Sequence, residues 1–224
     1  MMRHVIAGID EAGRGPVIGP MVMACVAMEK ECLTYLTRIG LRDSKVVSRT
    51  RRKYLARRIK DLARIVLVEI VEPREIDRAV EGKDYKNLND LEAATVAKLI
   101  TRIRDHVKTF YVDSPDIKPL RYMRRILVHL ERLGYDTDIE LICENNADKK
   151  YAIVSAASIV AKVIRDREIE KLSKIYGDLG SGYPSDPKTL RFLREILRTG
   201  TIPSFVRRSW RTVSRLLREL QFEG

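Results

Sequence analysis

Acidic residues stand where apolar, strand-like runs of the sequence stop. Asp10 and Glu11 close the first run, Asp113 closes a later one, and Asp148 comes shortly after a third. In open α/β sheets, functional sites form outside the carboxyl ends of the strands. Carboxylates gathered there repel one another unless cations neutralise them, and Mg²⁺ and Mn²⁺ prefer oxygen ligands. The pattern therefore predicts a site for Mg²⁺ or Mn²⁺.

The chemistry that such a site favours is hydrolysis of a phosphodiester. Two ions about 3.5 to 4 Å apart activate a water and stabilise the leaving oxygen of an in-line displacement, without a covalent enzyme intermediate. Adjacent strand residues point to opposite faces, so Asp10 and Glu11 share a metal site only if the chain bends. Gly13 and Gly15, which flank Arg14, permit a bend and a close approach of a nucleic-acid backbone.

The elements that must position these acids alternate along the chain. Strands are predicted over residues 5–9, 21–28, 65–71, 110–112 and 139–143, the first two joined by a tight hairpin. Helices are predicted over 49–63 with Ser48 as cap, over 89–104 and 155–176, and from Pro187 to about residue 198 with Asp186 as cap. A last helix carries Trp210, which is expected in the core. Alternating strands and helices indicate an α/β sheet.

The charge balance points to a polyanionic partner. Lys and Arg total 43 against 31 Asp and Glu, a formal net charge of +12, and the 33% of charged residues fits a hot habitat. Two basic stretches are expected to face phosphates: Arg49, Arg51, Arg52, Lys53, Arg57 and Arg58, and Arg207, Arg208, Arg211 and Arg215.

Other classes of site are disfavoured by the sequence. Cys25, Cys32 and Cys143 form no C-x-x-C pair, so structural zinc is not expected. The three histidines are scattered, and there is no Walker-type phosphate loop. The apolar run over residues 17–28 is interrupted and too short for a bilayer. We therefore expect a soluble, intracellular protein located in the cytoplasm, with no membrane partner.

Several strings of the sequence, in this order and over most of the chain, resemble ribonuclease HII, and the layout is similar to that of archaeal members. They are Gly8-Ile9-Asp10-Glu11-Ala12-Gly13-Arg14-Gly15-Pro16, Asp43-Ser44-Lys45, Tyr111-Val112-Asp113, Ala147-Asp148 leading into Val154-Ser155-Ala156-Ala157-Ser158-Ile159, and Ser181-Gly182-Tyr183-Pro184-Ser185-Asp186-Pro187.

The resemblance implies an α/β ribonuclease H-like fold, with a mixed central sheet flanked by helices. It implies a catalytic domain over residues 1–180 and a C-terminal helical extension for substrate over 181–224. The implied activity is cleavage of the RNA strand of RNA/DNA hybrids, and of duplex DNA 5′ of an embedded ribonucleotide, with two Mg²⁺ or Mn²⁺ ions.

The resemblance also implies roles for single residues. Asp10, Glu11, Asp113 and Asp148 are the implied catalytic metal ligands. Gly13, Arg14 and Gly15 would read a ribose 2′-OH, the group that distinguishes RNA from DNA, and Tyr183 would pack on the sugar at an RNA-to-DNA junction. Ser44 and Lys45 resemble contacts to phosphates of the DNA strand, with Asn89 as a helper.

Two positions depart from the family pattern. Asn146 stands where the family usually has Lys, which affects a phosphate contact or the acidity of Asp148. Ala152 replaces a common proline at a helix start. The first signature lies near residue 10, and no N-terminal substrate-binding domain like that of ribonuclease HIII is expected. Residues 215–224 lack the Gln plus paired-aromatic pattern of sliding-clamp ligands, and a monomer without accessory subunits is expected.

Two alternative functions remain open from the sequence. Another ribonuclease H-like nuclease, such as a junction resolvase, shares clustered carboxylates but not the reader of the 2′-OH. A non-catalytic RNA-binding protein is compatible with the basic charge. Metal dependence distinguishes an enzyme from a binding protein, and dependence on one embedded ribonucleotide distinguishes the two enzymes.

Overall fold

A computed structural model describes residues 5–41, 48–135 and 138–221 of the chain. Across these residues, five strands form one sheet in the order β3-β2-β1-β4-β5. The strands are β1 (Val5–Ala12), β2 (Met21–Glu29), β3 (Ile65–Val71), β4 (Thr109–Asp113) and β5 (Glu140–Glu144). The helices are α1 (Lys30–Arg38), α2 (Arg49–Leu62), α3 (Pro73–Val80), α4 (Leu88–Thr101), α5 (Pro119–Arg132), α6 (Ala147–Lys150), α7 (Ala152–Tyr176), α8 (Pro187–Arg198) and α9 (Arg211–Gln221).

The sheet is mixed, as predicted. β1 pairs antiparallel with β2 and parallel with β4, and β4 pairs parallel with β5. The β1–β4 pairing runs from Ile6↔Thr109 to Ile9↔Val112. This pairing brings the ends of β1 and β4, and therefore Asp10 and Asp113, to the same edge of the sheet.

The chain forms two compact units, each with its own core. The first comprises residues 1–12, 22–69 and 89–163, and its core joins strand residues such as Ile9 and Phe110 to α4 and α5. The second comprises residues 13–21, 70–88 and 164–224, and its core includes Ile18, Leu193 and Val213. Burial of these apolar side chains is the main stabilising contribution within each unit. The division at residue 180 into a catalytic and a substrate-binding part stays a prediction about function.

Two helices begin at the capping residues that the sequence predicts. The Ser48 hydroxyl accepts a hydrogen bond from the Arg51 amide, and the Asp186 carboxylate accepts one from the Lys188 amide. Both residues cap the helices they were predicted to cap, since their oxygens satisfy amides that have no partner in the first turn. α7 begins three residues earlier than expected, at Ala152.

The predicted tight hairpin between β1 and β2 is wrong. The strands pair, but they are separated by residues 13–20, and this segment makes its backbone hydrogen bonds to distant parts of the chain. The Val17 amide donates to the Gly182 carbonyl at 2.8 Å, and the Arg207 amide donates to the Val17 carbonyl at 2.9 Å. The glycines and prolines of this segment therefore belong to a long loop that is hydrogen-bonded to residues distant in sequence.

None of the helices in the described ranges is both long enough and apolar enough to span a membrane.

Candidate active site

Three of the predicted metal ligands converge at the edge of the sheet. Asp10, Glu11 and Asp113 each offer a carboxylate oxygen, and these oxygens lie within 4.8 Å of one another. Such a set of hard oxygen donors matches the ligand preference of Mg²⁺ and Mn²⁺ and suits neither zinc nor copper sites built on His or Cys. The residues present therefore fit the divalent ions that the sequence implies.

Strand β1 carries both Asp10 and Glu11 in continuous pairing with β2. β1 keeps its register with β2 through Asp10↔Ala24 and Glu11↔Met23, although the two side chains start from opposite faces. The β1–β4 pairing, by contrast, ends at Ile9↔Val112. The carboxylate oxygens of Asp10 and Glu11 nevertheless both lie within 4.8 Å of that of Asp113.

Asp10 is the buried member of the cluster, with 6% of its surface exposed. Burial raises the pKa of Asp10 well above its ordinary value, and the neighbouring charges of Glu11 and Asp113 raise it further. A hydrogen bond from the Ser158 side chain and one from the Glu11 amide act in the opposite direction. The repulsion among the three carboxylates is the electrostatic reason to expect cations here.

Ser158 reaches Asp10 because α7 passes very close to β1. A Cβ built on Gly8 would lie 2.4 Å from the backbone carbonyl of Ile153, so only glycine permits the approach. From that point, Ser158 lies five residues further along the helix and Asp10 two residues further along the strand, and the Ser158 side chain forms a hydrogen bond to the Asp10 carboxylate.

Lys162 forms a hydrogen bond to the same Ser158 hydroxyl that contacts Asp10. Its Nζ donates to Oγ of Ser158 at 2.8 Å, so a cation, a hydroxyl and the Asp10 carboxylate form a chain. Sequence reasoning assigned no role to Ser158 or Lys162. The spacing of Ser158 and Lys162, one helical turn apart, is a signal that points to their shared face.

Asp113 is linked to the segment that carries Asp148. Oδ1 of Asp113 accepts a hydrogen bond from the Ala147 amide at 2.6 Å, and Asp148 is the next residue, buried in the first turn of α6. Among the described residues, Asp148 is outside the set of oxygens within 4.8 Å. Asn146 precedes α6 in the left-handed conformation at φ 54°, which Asn adopts more readily than Lys. The identity of Asn146 thus suits the local backbone.

A polar network holds the chain just after Asp113. The Asn145 side-chain amide donates to the carbonyls of Ser114 and Asp116, at 2.9 and 2.7 Å. The Asp116 carboxylate, fully buried, accepts from the Arg121 guanidinium, which holds its pKa well below the usual range. Asn89 donates to the same carboxylate at 3.4 Å. The structure therefore places the predicted helper Asn89 in this network.

The carbonyl oxygens of the Gly13-Arg14-Gly15 segment accept hydrogen bonds from side chains near the C-terminal helix. The Arg207 guanidinium donates from Nη2 to the Gly13 carbonyl at 2.6 Å, from Nη1 to the Arg14 carbonyl at 2.8 Å, and from Nε to the Gly19 carbonyl at 3.0 Å. Gly13 has φ 87°, a conformation that side chains disfavour.

The Trp210 indole completes this arrangement. Its N–H donates to the Gly15 carbonyl at 3.0 Å, and the Arg207 guanidinium lies over its ring. Trp210 also packs against the core of the second unit, which agrees with its predicted core role. We call Arg207 and Trp210 the carbonyl clamp.

Arg207 was expected to face phosphates, and that prediction is wrong. The side chain is fully buried, because its donors satisfy carbonyl oxygens of a loop. Its neighbours Arg208, Arg211 and Arg215 are exposed, as are Arg49, Arg51, Lys53 and Arg57 of α2. The remaining two, Arg52 and Arg58, are partly buried. Ser44 and Lys45 lie outside the described residues.

Tyr183 stands in the loop before α8 with 39% of its surface exposed. A Cβ built on Gly15 would lie 3.7 Å from a ring carbon of Tyr183, so the tyrosine lies beside the segment predicted to read ribose. The ring also faces the Arg165 guanidinium, whose central carbon is 5.2 Å from the ring centroid. An exposed aromatic in a glycine-flanked loop is available for stacking on a ligand.

The chain is similar to known ribonucleases over almost its whole length. The family model described as Ribonuclease HII matches residues 7–213. A protein named ribonuclease HII from Thermofilum pendens is 49% identical, covering 94% of this chain and 98% of its own.

Two solved structures share the fold. The ribonuclease H2 of Pyrococcus horikoshii has 40% identity and a TM-score of 0.85, covering 97% of this chain and 99% of its own. The ribonuclease HII of Archaeoglobus fulgidus, solved in complex with PCNA, has 42% identity and a TM-score of 0.82, covering 94% and 96%. The expected ribonuclease H-like fold is confirmed by these likenesses.

Proposed function

Because the chain belongs to the ribonuclease HII family, metal-dependent endoribonucleases that cleave RNA in RNA/DNA hybrids, we propose that it also cuts duplex DNA on the 5′ side of an embedded ribonucleotide. The observation that carries the proposal is the convergence of Asp10, Glu11 and Asp113 within 4.8 Å. Family membership favours this activity over that of a junction resolvase or a non-catalytic RNA-binding protein.

The four carboxylates are the proposed catalytic residues. Asp10, Glu11 and Asp113 supply oxygen ligands from the sheet edge, and Asp148 supplies one from the start of α6. Two divalent ions, when bound, supply an activated water and stabilise the leaving oxygen. Ser158 orients the Asp10 carboxylate through its hydrogen bond, and the Ala147 amide orients that of Asp113. The proposed products carry a 5′-phosphate and a 3′-hydroxyl.

Discrimination between ribose and deoxyribose is assigned to Gly13, Arg14 and Gly15. The carbonyl clamp binds the backbone oxygens of all three residues, which fixes the loop, and recognition of the 2′-OH is assigned to the backbone amides of this fixed loop. A fixed set of donors rejects a sugar without a 2′-OH, because those donors would lose their partner in the bound state.

Tyr183 is proposed to pack on the sugar at the RNA-to-DNA junction. Its exposed ring beside Gly15 supports this role. Stacking of an aromatic on a nucleotide contributes roughly 1 to 3 kcal/mol.

The exposed arginines are proposed to bind the phosphates of the duplex. Those of α2 and those at 208, 211 and 215 are accessible, and affinity for nucleic acid then falls as salt rises. Ser44 and Lys45 are further proposed phosphate contacts, with Asn89 acting as a helper through the network around Asp116. Residues 181–224 are proposed as the substrate-binding extension of a catalytic part over 1–180.

The proposal for partners and location follows from the substrate. The chain is proposed to act as a monomer on nucleic acid in the cytoplasm. The relative from Archaeoglobus fulgidus was solved with PCNA, whereas residues 215–224 of this chain lack the clamp-ligand pattern.

A cleavage assay on three matched duplexes tests the function. One is all DNA, one contains a single ribonucleotide, and one has a continuous RNA strand paired with DNA. The expected result is cleavage of the second and third in Mg²⁺ or Mn²⁺, and no cleavage of the first or after chelation of the metal. Cleavage of the hybrid alone would limit the function to RNA/DNA hybrids.

A further inference from the structure

Arg165 is a buried cation that the roles assigned so far do not use. It lies in α7 with 6% of its surface exposed. Nη2 donates to the Ser181 carbonyl at 2.7 Å, and the guanidinium faces the Tyr183 ring. Its Nε is buried and has no hydrogen-bond partner among the described residues. Such a group carries a free-energy penalty that needs an explanation.

Two glycines make room for this side chain. A Cβ on Gly13 would lie 3.2 Å from Cγ and 3.4 Å from Nε of Arg165, and one on Gly182 would lie 2.9 Å from its Nη2. Both glycines have positive φ, 87° and 82°. The guanidinium is therefore enclosed between the segment predicted to read ribose and the loop that carries Tyr183.

No carboxylate within the described ranges forms an ion pair with Arg165. Burial lowers the pKa of Arg165, and the nearby Tyr183 and Asp166 raise it, but a guanidinium stays charged in proteins. The electron-rich face of the Tyr183 ring is the group set against this charge, at 5.2 Å. A cation set against a ring is attracted more strongly when it is desolvated.

Building on the function proposed above, we propose that Arg165 is a positioning residue for Tyr183. The guanidinium holds the ring through its face and holds the loop through the Ser181 carbonyl. Together these contacts fix the orientation of the ring for the sugar at an RNA-to-DNA junction. Arg165 acts through Tyr183 and is therefore a determinant of specificity for single embedded ribonucleotides.

A double-mutant cycle tests this coupling. We compare wild type, Arg165→Met, Tyr183→Ala and the double variant by kcat/KM on duplex DNA with one ribonucleotide and on a continuous RNA/DNA hybrid. Arg165→Met is expected to lose about tenfold on the single ribonucleotide and less on the hybrid. In the Tyr183→Ala background the same change is expected to cost less than about twofold, because the residue it positions is absent.

Additional variants keep the test interpretable. Arg165→Lys retains the charge but not the planar group, and it replaces Arg165→Met in the cycle if the latter melts at a much lower temperature. Arg167→Met removes an exposed charge two residues along the same helix and is the matched control, expected to behave as wild type.

The outcomes distinguish a failure of the positioning role of Arg165 from a failure of the junction role proposed for Tyr183. If Tyr183→Ala loses activity selectively on the single ribonucleotide but the Arg165 loss is additive with it, or absent, the positioning role is overturned. If Tyr183→Ala itself shows equal losses on both substrates, or none, the proposed junction role of Tyr183 fails, and the role of Arg165 fails with it.

Discussion

The Arg207 guanidinium donates a hydrogen bond to the Gly13 carbonyl at 2.6 Å, across 194 residues of sequence. It donates to the Arg14 and Gly19 carbonyls as well, and all its surface is buried. The loop proposed to recognise ribose therefore depends on a residue near the C-terminal helix.

The carbonyl clamp gives a first prediction, for Trp210→Phe. The change keeps an aromatic ring but removes the N–H that donates to the Gly15 carbonyl. Loss of one such hydrogen bond is expected to lower the free energy of unfolding by about 1 kcal/mol. It should also lower kcat/KM on a single embedded ribonucleotide, since the loop is held less firmly.

Denaturant unfolding and cleavage kinetics check this prediction. Arg191→Met, which removes an exposed charge from α8, is the control for a surface change in the same unit. Unchanged stability and kinetics in Trp210→Phe would show that the indole hydrogen bond does not support the loop.

The carboxylates give a second prediction. Asp10→Asn, Glu11→Gln, Asp113→Asn and Asp148→Asn are each expected to lower kcat by about a thousandfold or more while substrate binding is kept, because the groups act as a unit. Asp10→Asn should also raise the melting temperature of the metal-free protein, since it removes one of three clustered negative charges.

Single-turnover kinetics, binding measured in Ca²⁺, and thermal melting without metal provide the readouts. Near wild-type activity of Asp113→Asn in Mg²⁺ would refute the proposed metal site. A lower melting temperature of metal-free Asp10→Asn would mean that repulsion within the cluster is not a net cost to folding.

Ser158 gives a third prediction. Ser158→Ala removes the hydroxyl that bonds Asp10 and receives the Lys162 ammonium. Groups that orient metal ligands typically contribute 10- to 100-fold in metal affinity or activity, so a loss of about that size is expected. Ser173→Ala, the same change further along α7, is the matched control.

Titration of activity with Mg²⁺ distinguishes a loss of metal affinity from a loss of turnover. A higher Mg²⁺ requirement or a lower kcat supports the role of Ser158. Overlapping titration curves for Ser158→Ala and Ser173→Ala would exclude it.

Asp116 gives a fourth prediction, on pH. The hydrogen bond from Arg121 holds the pKa of Asp116 below its unfolded value of about 3.9. A group with a lowered folded pKa stabilises the protein above the unfolded pKa, and the contribution is lost as pH falls through the folded pKa. Asp116→Asn should therefore melt lower than wild type near neutral pH, and the difference should shrink as the pH falls below about 4.

Melting curves over a pH series measure this difference. Asp105→Asn, at a side chain that is 82% exposed, serves as control and should show little change at any pH. A difference for Asp116→Asn that is constant across the series would show that ionisation of Asp116 is not what stabilises the network.

Local patterns of the sequence predicted much of the sheet. The predicted bounds of β3, residues 65–71, are those observed. The caps Ser48 and Asp186 were predicted from the hydrogen-bonding capacity of their side chains. These features depend on neighbours within a few residues. The convergence of Asp10 with Asp113 was also predictable, since parallel strands bring their carboxyl ends to one edge.

Two of the features that were missed depend on contacts between residues far apart in sequence. Residues 13–20 have a turn-like composition, but their hydrogen-bond partners lie around residues 182 and 207. An arginine within a basic run gives no sign of burial, because the carbonyls that Arg207 binds are far away in sequence. The helices α1, α3, α5 and α6 were not predicted either, α6 having only four residues and no apolar periodicity.

The chemistry of the cut ends tests the central claim most directly. Mass spectrometry of the fragments from a duplex with one ribonucleotide should show a 3′-hydroxyl on the upstream DNA and a 5′-phosphate on the fragment that begins with the ribonucleotide. This result is predicted because an activated water, and not the 2′-OH of the RNA, attacks the phosphorus. A 2′,3′-cyclic phosphate, or a cut on the 3′ side of the ribonucleotide, would contradict the account.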